Sequence, residues 1–266
     1  MNYRERLKQY KRIVIKVGTT TLTYSSGRMN LRTVDKLAWV IADLKNSGID
    51  VVLVSSGAIA VGAARIGLEE RPRDTIGKQA SSAVGQAVLM QIYEKSFMEY
   101  NRKVAQILLT KDVFDYESKR RNAKNTINRL LEMGVVPIVN ENDTVAIDEL
   151  QEFSDNDTLS AYVSNLIEAD LLILLSDIDG LYTADPNKDP DARIIDCVES
   201  IDESIYSIAG DSASSFGTGG MITKIRAAGL VNKNKADLVI ASGADPKIIF
   251  DIMNGENIGT LFVAEK

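Results

Sequence analysis

The sequence of 266 residues contains no histidine. This absence excludes Ser-His-Asp and Cys-His catalysis, imidazole proton shuttles and every zinc site that needs histidine. The single cysteine, Cys197, cannot form a disulfide within the chain or a two-cysteine metal site, and it is typical of a structural residue in a reducing compartment. Any proton chemistry must therefore use carboxylates or lysines.

Long apolar runs and an excess of basic residues are also missing. No run is long enough to span a membrane and the N-terminal segment is too polar for a secretory signal, so we expect a cytoplasmic protein. The chain has 31 Lys and Arg against 37 Asp and Glu, a formal net charge of −6. This balance argues against general binding to nucleic acids or anionic membranes. The composition, 45% hydrophobic and 26% charged, is that of a folded globular protein.

Strand and helix patterns alternate along the chain. Short apolar runs predict strands at 13–17, 50–54, 104–109, 135–139, 171–175, 238–241 and 259–264. Helical periodicity predicts helices at 31–47, 79–101, 122–133, 158–169, 221–234 and 246–253. Buried strands separated by helices predict the α/β class, with a mainly parallel central sheet in a three-layer α/β/α sandwich. No linker divides the chain, so we expect a single domain over 1–266 with a polar lobe junction at 143–157.

The loops after the predicted strands hold the residues suited to chemistry. Ligands of open parallel sheets bind beyond the carboxyl ends of the strands, where these loops gather. The segments concerned are 16–20, 55–62, 140–143, 155–157, 176–177, 180–186 and 217–224. Their shared placement is stronger evidence for a site than any one segment.

A glycine cluster precedes the predicted helix at 221–234. Gly217, Gly219 and Gly220 leave backbone N–H groups open at the positive end of the helix, which suits phosphate, although a tight turn without a ligand would use the same residues. Lys224, one turn further on, can reach back over the same helix end. Neither the P-loop pattern nor the dinucleotide-binding fingerprint is present at the expected position.

Lys16 lies in an otherwise apolar strand. A buried ammonium is costly without a counter-charge, which a phosphate would supply, but a lysine at a strand end can also extend to solvent. Asp155, Asp157 and Asp177 are available to bind magnesium or to orient the lysines, and each could equally be a solvated loop or N-cap residue. Together these residues predict phosphoryl transfer.

The lack of histidine also bears on the acceptor. A kinase that acts on an alcohol positions a base for its proton, whereas an ionised carboxylate, carbamate or phosphate needs none. The sequence therefore favours an acid as acceptor and leaves an aspartate base open.

In this order the motifs resemble the amino acid kinase family, from residues 15–19 to 259–262. The most specific pieces are 56–60, 140–143, 155–157, 180–186, 208–212 and 217–221 with Lys224. The resemblance is closest to the branch that acts on free glutamate in the first step of proline biosynthesis. It implies phosphoryl transfer from MgATP to the γ-carboxylate of L-glutamate, giving L-glutamyl 5-phosphate and ADP.

The same resemblance implies residue roles. Lys16 and Lys224 would bridge the phosphates and neutralise the charge of the transition state, and Asp155 would orient both lysines. The positions that match the glutamate-binding residues are Ser56, Gly57, Asp143, Asn156 and Asp157, with Asp143 facing the α-ammonium and Asp157 close to glutamate or metal. The positions that match the ATP-binding residues are Lys16, Gly18, Ser176, Asp177, Thr218, Gly219, Gly220, Met221, Ile222, Thr223 and Lys224.

Cofactors and partners also follow from the resemblance. It implies ATP, with Mg²⁺ held mainly through the ATP phosphates, feedback inhibition by proline and a homo-oligomer (dimer or tetramer). Channelling of the product to the next enzyme is left open. It assigns residues 1–165 mainly to the amino-acid lobe and 166–266 mainly to the nucleotide lobe. Many family members carry a C-terminal PUA domain, which we do not expect here, nor an RNA role. The segment 143–155, a residue longer than in some relatives, would lie over the glutamate site.

Two other interpretations stay open on the sequence. Related kinases act on N-acetylglutamate, aspartate, carbamate or UMP, but an N-acetylated substrate offers no ammonium for Asp143 to meet. The chain could also be a non-catalytic proline or glutamate sensor, although such a module has no need of the phosphate lysines Lys16 and Lys224.

Overall fold

The computed structural model describes residues 2–146, 155–186, 188–210 and 220–265, and these contain one eight-stranded sheet. The strands are β1 (Arg12–Val17), β2 (Asp50–Ser55), β3 (Val104–Leu109), β4 (Val136–Glu141), β5 (Leu171–Ser176), β6 (Cys197–Val198), β7 (Asp237–Ser242) and β8 (Thr260–Phe262). Their order is β3-β4-β2-β1-β5-β7-β8-β6. Neighbours pair in parallel from β3 to β7, and β8 pairs antiparallel with β7. The sheet is thus mainly parallel, as the sequence predicts.

Helices cover both faces of the sheet. They are α1 (Thr19–Leu22), α2 (Leu31–Asn46), α3 (Ala58–Ile66), α4 (Thr75–Met98), α5 (Asp112–Asp115), α6 (Glu117–Glu132), α7 (Asn156–Leu166), α8 (Glu203–Gly210), α9 (Met221–Asn232) and α10 (Ile248–Met253), after a 3-10 helix at Tyr3–Gln9. The core on one face receives side chains from α2, α4 and α10, and the core on the other from α6, α7 and α9. The three-layer α/β/α sandwich is confirmed. No helix of the described residues is long and apolar enough to cross a membrane.

The alternation of side chains along β1 directs Lys16 toward the second face. Ile13, Ile15 and Val17 lie in the core beneath α2 and α4, whereas Val14 lies in the core beneath α7 and α9. Because successive side chains of a strand point to opposite faces, Lys16 shares the face of Val14. The ammonium is therefore placed beneath the beginnings of α7 and α9.

Helix α3 is the main departure from the predicted elements. The segment 55–62 was expected as a loop, but a helix begins at Ala58, directly after Gly57. Gly57 has φ 102°, a left-handed conformation that side chains other than glycine rarely adopt, and this turn leads the chain from β2 into α3.

Helices α3 and α4 cross backbone to backbone. A Cβ atom added to Gly62 would lie 1.7 Å from the carbonyl oxygen of Ser81, and one added to Gly85 would lie 1.8 Å from that of Ala58. Only glycine permits this approach. The crossing fixes the beginning of α3 against the middle of α4.

Several bounds also differ from expectation. Helix α6 begins at Glu117 rather than 122, because its first turns are exposed and polar and carry no apolar period. The last strand extends only over Thr260–Phe262, and neither β6 nor α8 was predicted. Cys197 is half-buried in β6, and burial raises the pKa of its thiol, which disfavours the reactive thiolate.

Candidate active site

The carboxyl ends of β2, β1 and β5 meet at one edge of the sheet, with β4 beside β2. A cavity opens there between the end of β4, the turn into α3 and the beginning of α7. It is lined by Thr19, Ser56, Gly57, Ala58, Ile59, Ala60, Arg71, Asn140, Glu141, Asp143, Asp155 and Asn156. Four residues predicted to bind substrate therefore line one cavity: Ser56, Gly57, Asp143 and Asn156.

Side-chain amides connect α7 to the ends of two strands. Asn156 Nδ2 lies 2.8 Å from Ser56 Oγ and 3.0 Å from both the carbonyl oxygen of Ser55 and Asn140 Oδ1, and its two N–H groups are shared among these three acceptors. Asn140 Nδ2 in turn donates to Gln86 Oε1 of α4 at 2.9 Å. Because a backbone carbonyl can only accept, the orientation of each amide in this chain is fixed. Ser56 accepts from Asn156, so its own hydroxyl proton remains available to a ligand.

Asp157 holds both predicted lysines. Its Oδ1 lies 2.6 Å from Lys16 Nζ, and its Oδ2 lies 3.1 Å from Lys224 Nζ and accepts from Thr223 Oγ1 at 2.9 Å. The three charged residues are almost fully buried, with exposures of 8% for Lys16, 5% for Lys224 and 1% for Asp157. Burial acts to raise the pKa of Asp157, but the two ammonium groups outweigh it and lower that pKa to about 2. Two cations on one carboxylate leave a net positive charge in a dry site.

The carboxylate between the lysines is not the one that we expected. Asp155 was predicted to orient them, but its side chain caps α7, where it accepts from the backbone N–H of Thr158 at 2.8 Å and from Thr158 Oγ1 at 3.0 Å. An N-cap side chain turns back over the helix end, whereas Asp157, in the first turn, points across to β1 and α9. The spacing of the two aspartates alone does not distinguish these directions.

Asp143 follows the end of β4 and lines the cavity there. Its Oδ2 accepts from Ser82 Oγ of α4 at 2.5 Å. Burial raises the pKa of Asp143, and Ser82 and Arg71 oppose this effect. Burial likewise raises the pKa of Asp155. The cavity therefore carries carboxyl groups that a cationic ligand group would help to ionise.

The predicted nucleotide residues lie on the other side of β1. Ser176 ends β5, and its hydroxyl donates to Asp177 Oδ1 at 2.9 Å; Ser176 is buried and Asp177 is exposed. Gly18 follows β1, and its N–H donates to the carbonyl oxygen of Leu175 at 3.4 Å. These three residues surround the end of β1 on the side away from the cavity.

Helix α9 begins opposite α7, where its first turn meets Asp157. Gly220 is its N-cap without a side-chain hydrogen bond, and a Cβ atom there would meet nothing within 4 Å. Met221 is buried and Ile222 is partly exposed, while Thr223 and Lys224 turn toward Asp157. Thr218 and Gly219 lie outside the described residues, as do residues 147–154 of the segment expected over the glutamate site.

Magnesium was expected mainly on ATP phosphates, with Asp157 a second possibility. Both oxygens of Asp157 face ammonium groups, which leaves that carboxylate a poor ligand for a cation. Within the described ranges, no group of three or more His, Cys, Asp or Glu residues is placed to hold a metal ion. The residues present fit a Mg²⁺ ion that arrives with phosphate oxygens.

Several residues of the site carry no sequence signal of their own. Gln86 and Ser82 belong to α4, and Arg71 belongs to the connection between α3 and α4. Asn140 was part of a motif without an assigned role. Only the folded chain brings these side chains to the strand ends, because their elements are distant in sequence.

The sequence profile of the amino acid kinase family matches residues 11–242. The match covers most of the chain, and the chain belongs to this family.

The similarity to individual curated proteins points to one branch of this family. Glutamate 5-kinase of Listeria monocytogenes (strain EGD-e) is 52% identical over 99% of this chain and 96% of its own length. Glutamate 5-kinase of Clostridium perfringens is 52% identical over 99% of both chains, and that of Enterococcus faecalis is 48% identical over 98% and 97%. Within its family, the chain therefore groups with the glutamate 5-kinases, which are phosphotransferases.

Solved structures support the fold. Carbamate kinase from Giardia lamblia has a TM-score of 0.68 at 15% identity and covers 97% of this chain and 100% of its own. UMP kinase from Bacillus anthracis has a TM-score of 0.63 at 17% identity and covers 97% of both. At these identities the likeness concerns the fold alone.

Proposed function

We propose that this chain transfers the γ-phosphoryl group of ATP to the γ-carboxylate of L-glutamate, giving L-glutamyl 5-phosphate and ADP. The observation that carries the proposal is the pair of buried lysines, Lys16 and Lys224, held by Asp157 beside a cavity lined with carboxyl and amide groups. The glutamate 5-kinases at about half identity support this choice of substrate.

Lys16 lies in the central strand of the site. Strand β1 pairs with β2, whose end borders the cavity, and with β5, which ends at Ser176. A phosphoryl group that passes between nucleotide and acid would cross the end of β1, beside Lys16. Lys224 meets it from α9, and the two ammonium groups neutralise charge on the transferring oxygens. A carboxylate acceptor needs no base, in keeping with a chain that lacks histidine.

Glutamate would be held by hydrogen-bond donors at its γ-carboxylate and by an acidic group at its α-ammonium. The hydroxyl proton of Ser56 and the N–H groups at the beginning of α3, after Gly57, suit the γ-carboxylate. Asn156 positions Ser56, and Asp143 meets the α-ammonium. The roles of these residues are part of the proposal.

The nucleotide would occupy the side of β1 formed by Gly18, Ser176, Asp177 and residues 220–224. Mg²⁺ bound to the phosphates supplies charge neutralisation at their oxygens. Gly220 leaves the helix end open to phosphate, and Lys224 remains within reach of the same end. Residues 1–165 then serve mainly the amino acid and residues 166–266 mainly the nucleotide.

The family resemblance extends the proposal to regulation and context. We infer feedback inhibition by proline, assembly into a homo-oligomer, transfer of the labile acyl phosphate to the next enzyme, and a cytoplasmic location. The alternative of a kinase for N-acetylglutamate is disfavoured by the acidic groups Asp143 and Asp155, which a neutral acetamide would leave without a partner. A sensor without catalysis would not need the buried lysine pair.

Trapping of the product with hydroxylamine tests the reaction. We expect a hydroxamate from glutamate in the presence of MgATP, and none from N-acetylglutamate or aspartate or without ATP. A hydroxamate from N-acetylglutamate would assign the chain to the rival substrate. Binding of glutamate without any hydroxamate would favour the sensor.

The pH dependence of glutamate binding tests Asp143. Its pKa is raised by burial, so its charge is lost at a higher pH than for an ordinary aspartate as the solution is acidified. We expect the KM for glutamate to rise on acidification from neutrality more steeply in the wild type than in Asp143→Asn. That variant should have a KM about tenfold higher at neutral pH.

The exposed Asp43→Asn on α2 makes the same charge change and should follow the wild-type profile. Dividing the KM of each variant by the wild-type KM at the same pH cancels the effect of the titration of glutamate itself. Parallel profiles for Asp143→Asn and the wild type would contradict the role of Asp143.

A further inference from the structure

We propose that Arg71 binds the α-carboxylate of the amino-acid substrate and thereby selects substrates that carry one. This inference rests on the proposed function, and it adds to it a residue that the resemblance did not assign. Arg71 lines the same cavity as Ser56, Asp143 and Asn156.

The placement of Arg71 differs from that of its neighbours in the cavity. The other lining residues belong to strand ends or to the turns and helix beginnings that follow them. Arg71 alone comes from the connection between α3 and α4, the two helices that cross at Gly62 and Gly85. Its charge acts on Asp143, whose pKa it lowers against the larger effect of burial.

The charges of the described lining residues make Arg71 distinctive. Glu141, Asp143 and Asp155 are acidic, and Arg71 is the single basic residue among those that line the described cavity. No ion pair joins Arg71 to another described residue, whereas the nearby Arg73 pairs with Glu70 at 3.9 Å. The guanidinium thus faces a cavity whose other charged groups all repel a carboxylate.

The chemistry of the substrate requires such a group. Glutamate brings two carboxylates and one ammonium. The γ-carboxylate must approach the phosphoryl group beside Lys16, and the acidic groups suit the ammonium. The α-carboxylate, bonded to the same carbon as the ammonium, must then lie near Asp143, where like charge disfavours it. A guanidinium presents paired N–H groups that match a carboxylate, which offsets that repulsion.

The α-amide of glutamate distinguishes binding of the α-carboxylate by Arg71 from any other effect of the Arg71 substitution on the cavity. It keeps the ammonium and the γ-carboxylate and replaces the α-carboxylate by a neutral group of the same shape. We expect Arg71→Ala to raise the KM for glutamate about tenfold or more, with little change in kcat and little change for the α-amide. Arg71→Lys should recover part of the loss, since it restores the charge without the paired geometry.

Arg73→Ala is the matched control, because it removes the same charge from the same connection. It should leave both KM values unchanged. Equilibrium binding of glutamate and of the α-amide, measured by calorimetry, should give the same pattern as the KM values. Arg71 is exposed, so its removal should not lower the melting temperature.

The outcomes separate the two proposals. If Arg71→Ala changed the KM for glutamate and for the α-amide equally, or had the same KM values as Arg73→Ala, the role of Arg71 would be overturned. The proposed kinase activity would not be affected by either result. A wild type that phosphorylates neither glutamate nor its α-amide would overturn the proposed function first. A loss confined to glutamate supports both.

Discussion

Replacement of Lys224 by alanine should lower kcat about 100- to 1,000-fold, the cost of removing one preorganised charged donor from a transition state. Lys224 is buried and meets Asp157 opposite Lys16, so its charge acts in a site that water scarcely screens. The effect should fall on kcat rather than on the KM for glutamate, because Lys224 comes from α9 and the glutamate cavity is lined by other elements. Steady-state kinetics with hydroxamate detection measures both parameters.

Lys233→Ala, at the exposed end of the same helix, makes the same charge change away from the site and should retain wild-type kinetics. Asp157 keeps Lys16 as a partner in the Lys224 variant, and circular dichroism should therefore show a folded protein. A Lys224→Ala enzyme within a few-fold of wild-type kcat would remove that lysine from the proposed mechanism.

A second large effect is expected from Gly62→Ala, on stability rather than on chemistry. The added methyl group would lie 1.7 Å from the carbonyl oxygen of Ser81, which neither backbone can accommodate without a shift of α3 against α4. We expect the free energy of unfolding to fall by about 3 kcal/mol, the upper part of the usual range for overpacking. Urea denaturation followed by circular dichroism gives this quantity.

Gly229→Ala is the matched control for that substitution. Gly229 also lies inside a helix, but its Cβ atom would have only one neighbour at 4.0 Å, the hydroxyl of Tyr206. Higher helix propensity should make this variant more stable by up to about 1 kcal/mol. If Gly62→Ala proved as stable as Gly229→Ala, the close crossing of α3 and α4 would be wrong.

The activity should also respond to the crossing. Helix α3 begins at the cavity, and its opening N–H groups depend on where the crossing holds it. A Gly62→Ala protein that remains folded should therefore bind glutamate more weakly, while variants elsewhere in the fold with equal loss of stability should not.

Much of the fold follows from local patterns. The apolar runs of β1, β2, β4, β5 and β7 are nearly continuous, since both faces of a parallel sheet are buried, and such runs identify central strands from sequence. The helices that pack on the sheet by an apolar stripe were found for a similar reason, with errors at exposed ends such as that of α6. Helix α3, which follows β2 directly after Gly57, was not identified.

The sequence by itself predicted the class of the fold, the edge of the sheet that carries the candidate site, and Lys16 and Lys224 as its cations. These features depend on residue type and on short spacing along the chain. The tertiary structure decided which aspartate joins the lysines, and it brought Gln86, Ser82 and Arg71 to the cavity. The direction of each aspartate side chain at the beginning of α7, and the contacts between elements distant in sequence, depend on how α3, α4 and α7 pack around the strand ends. No local pattern encodes that packing.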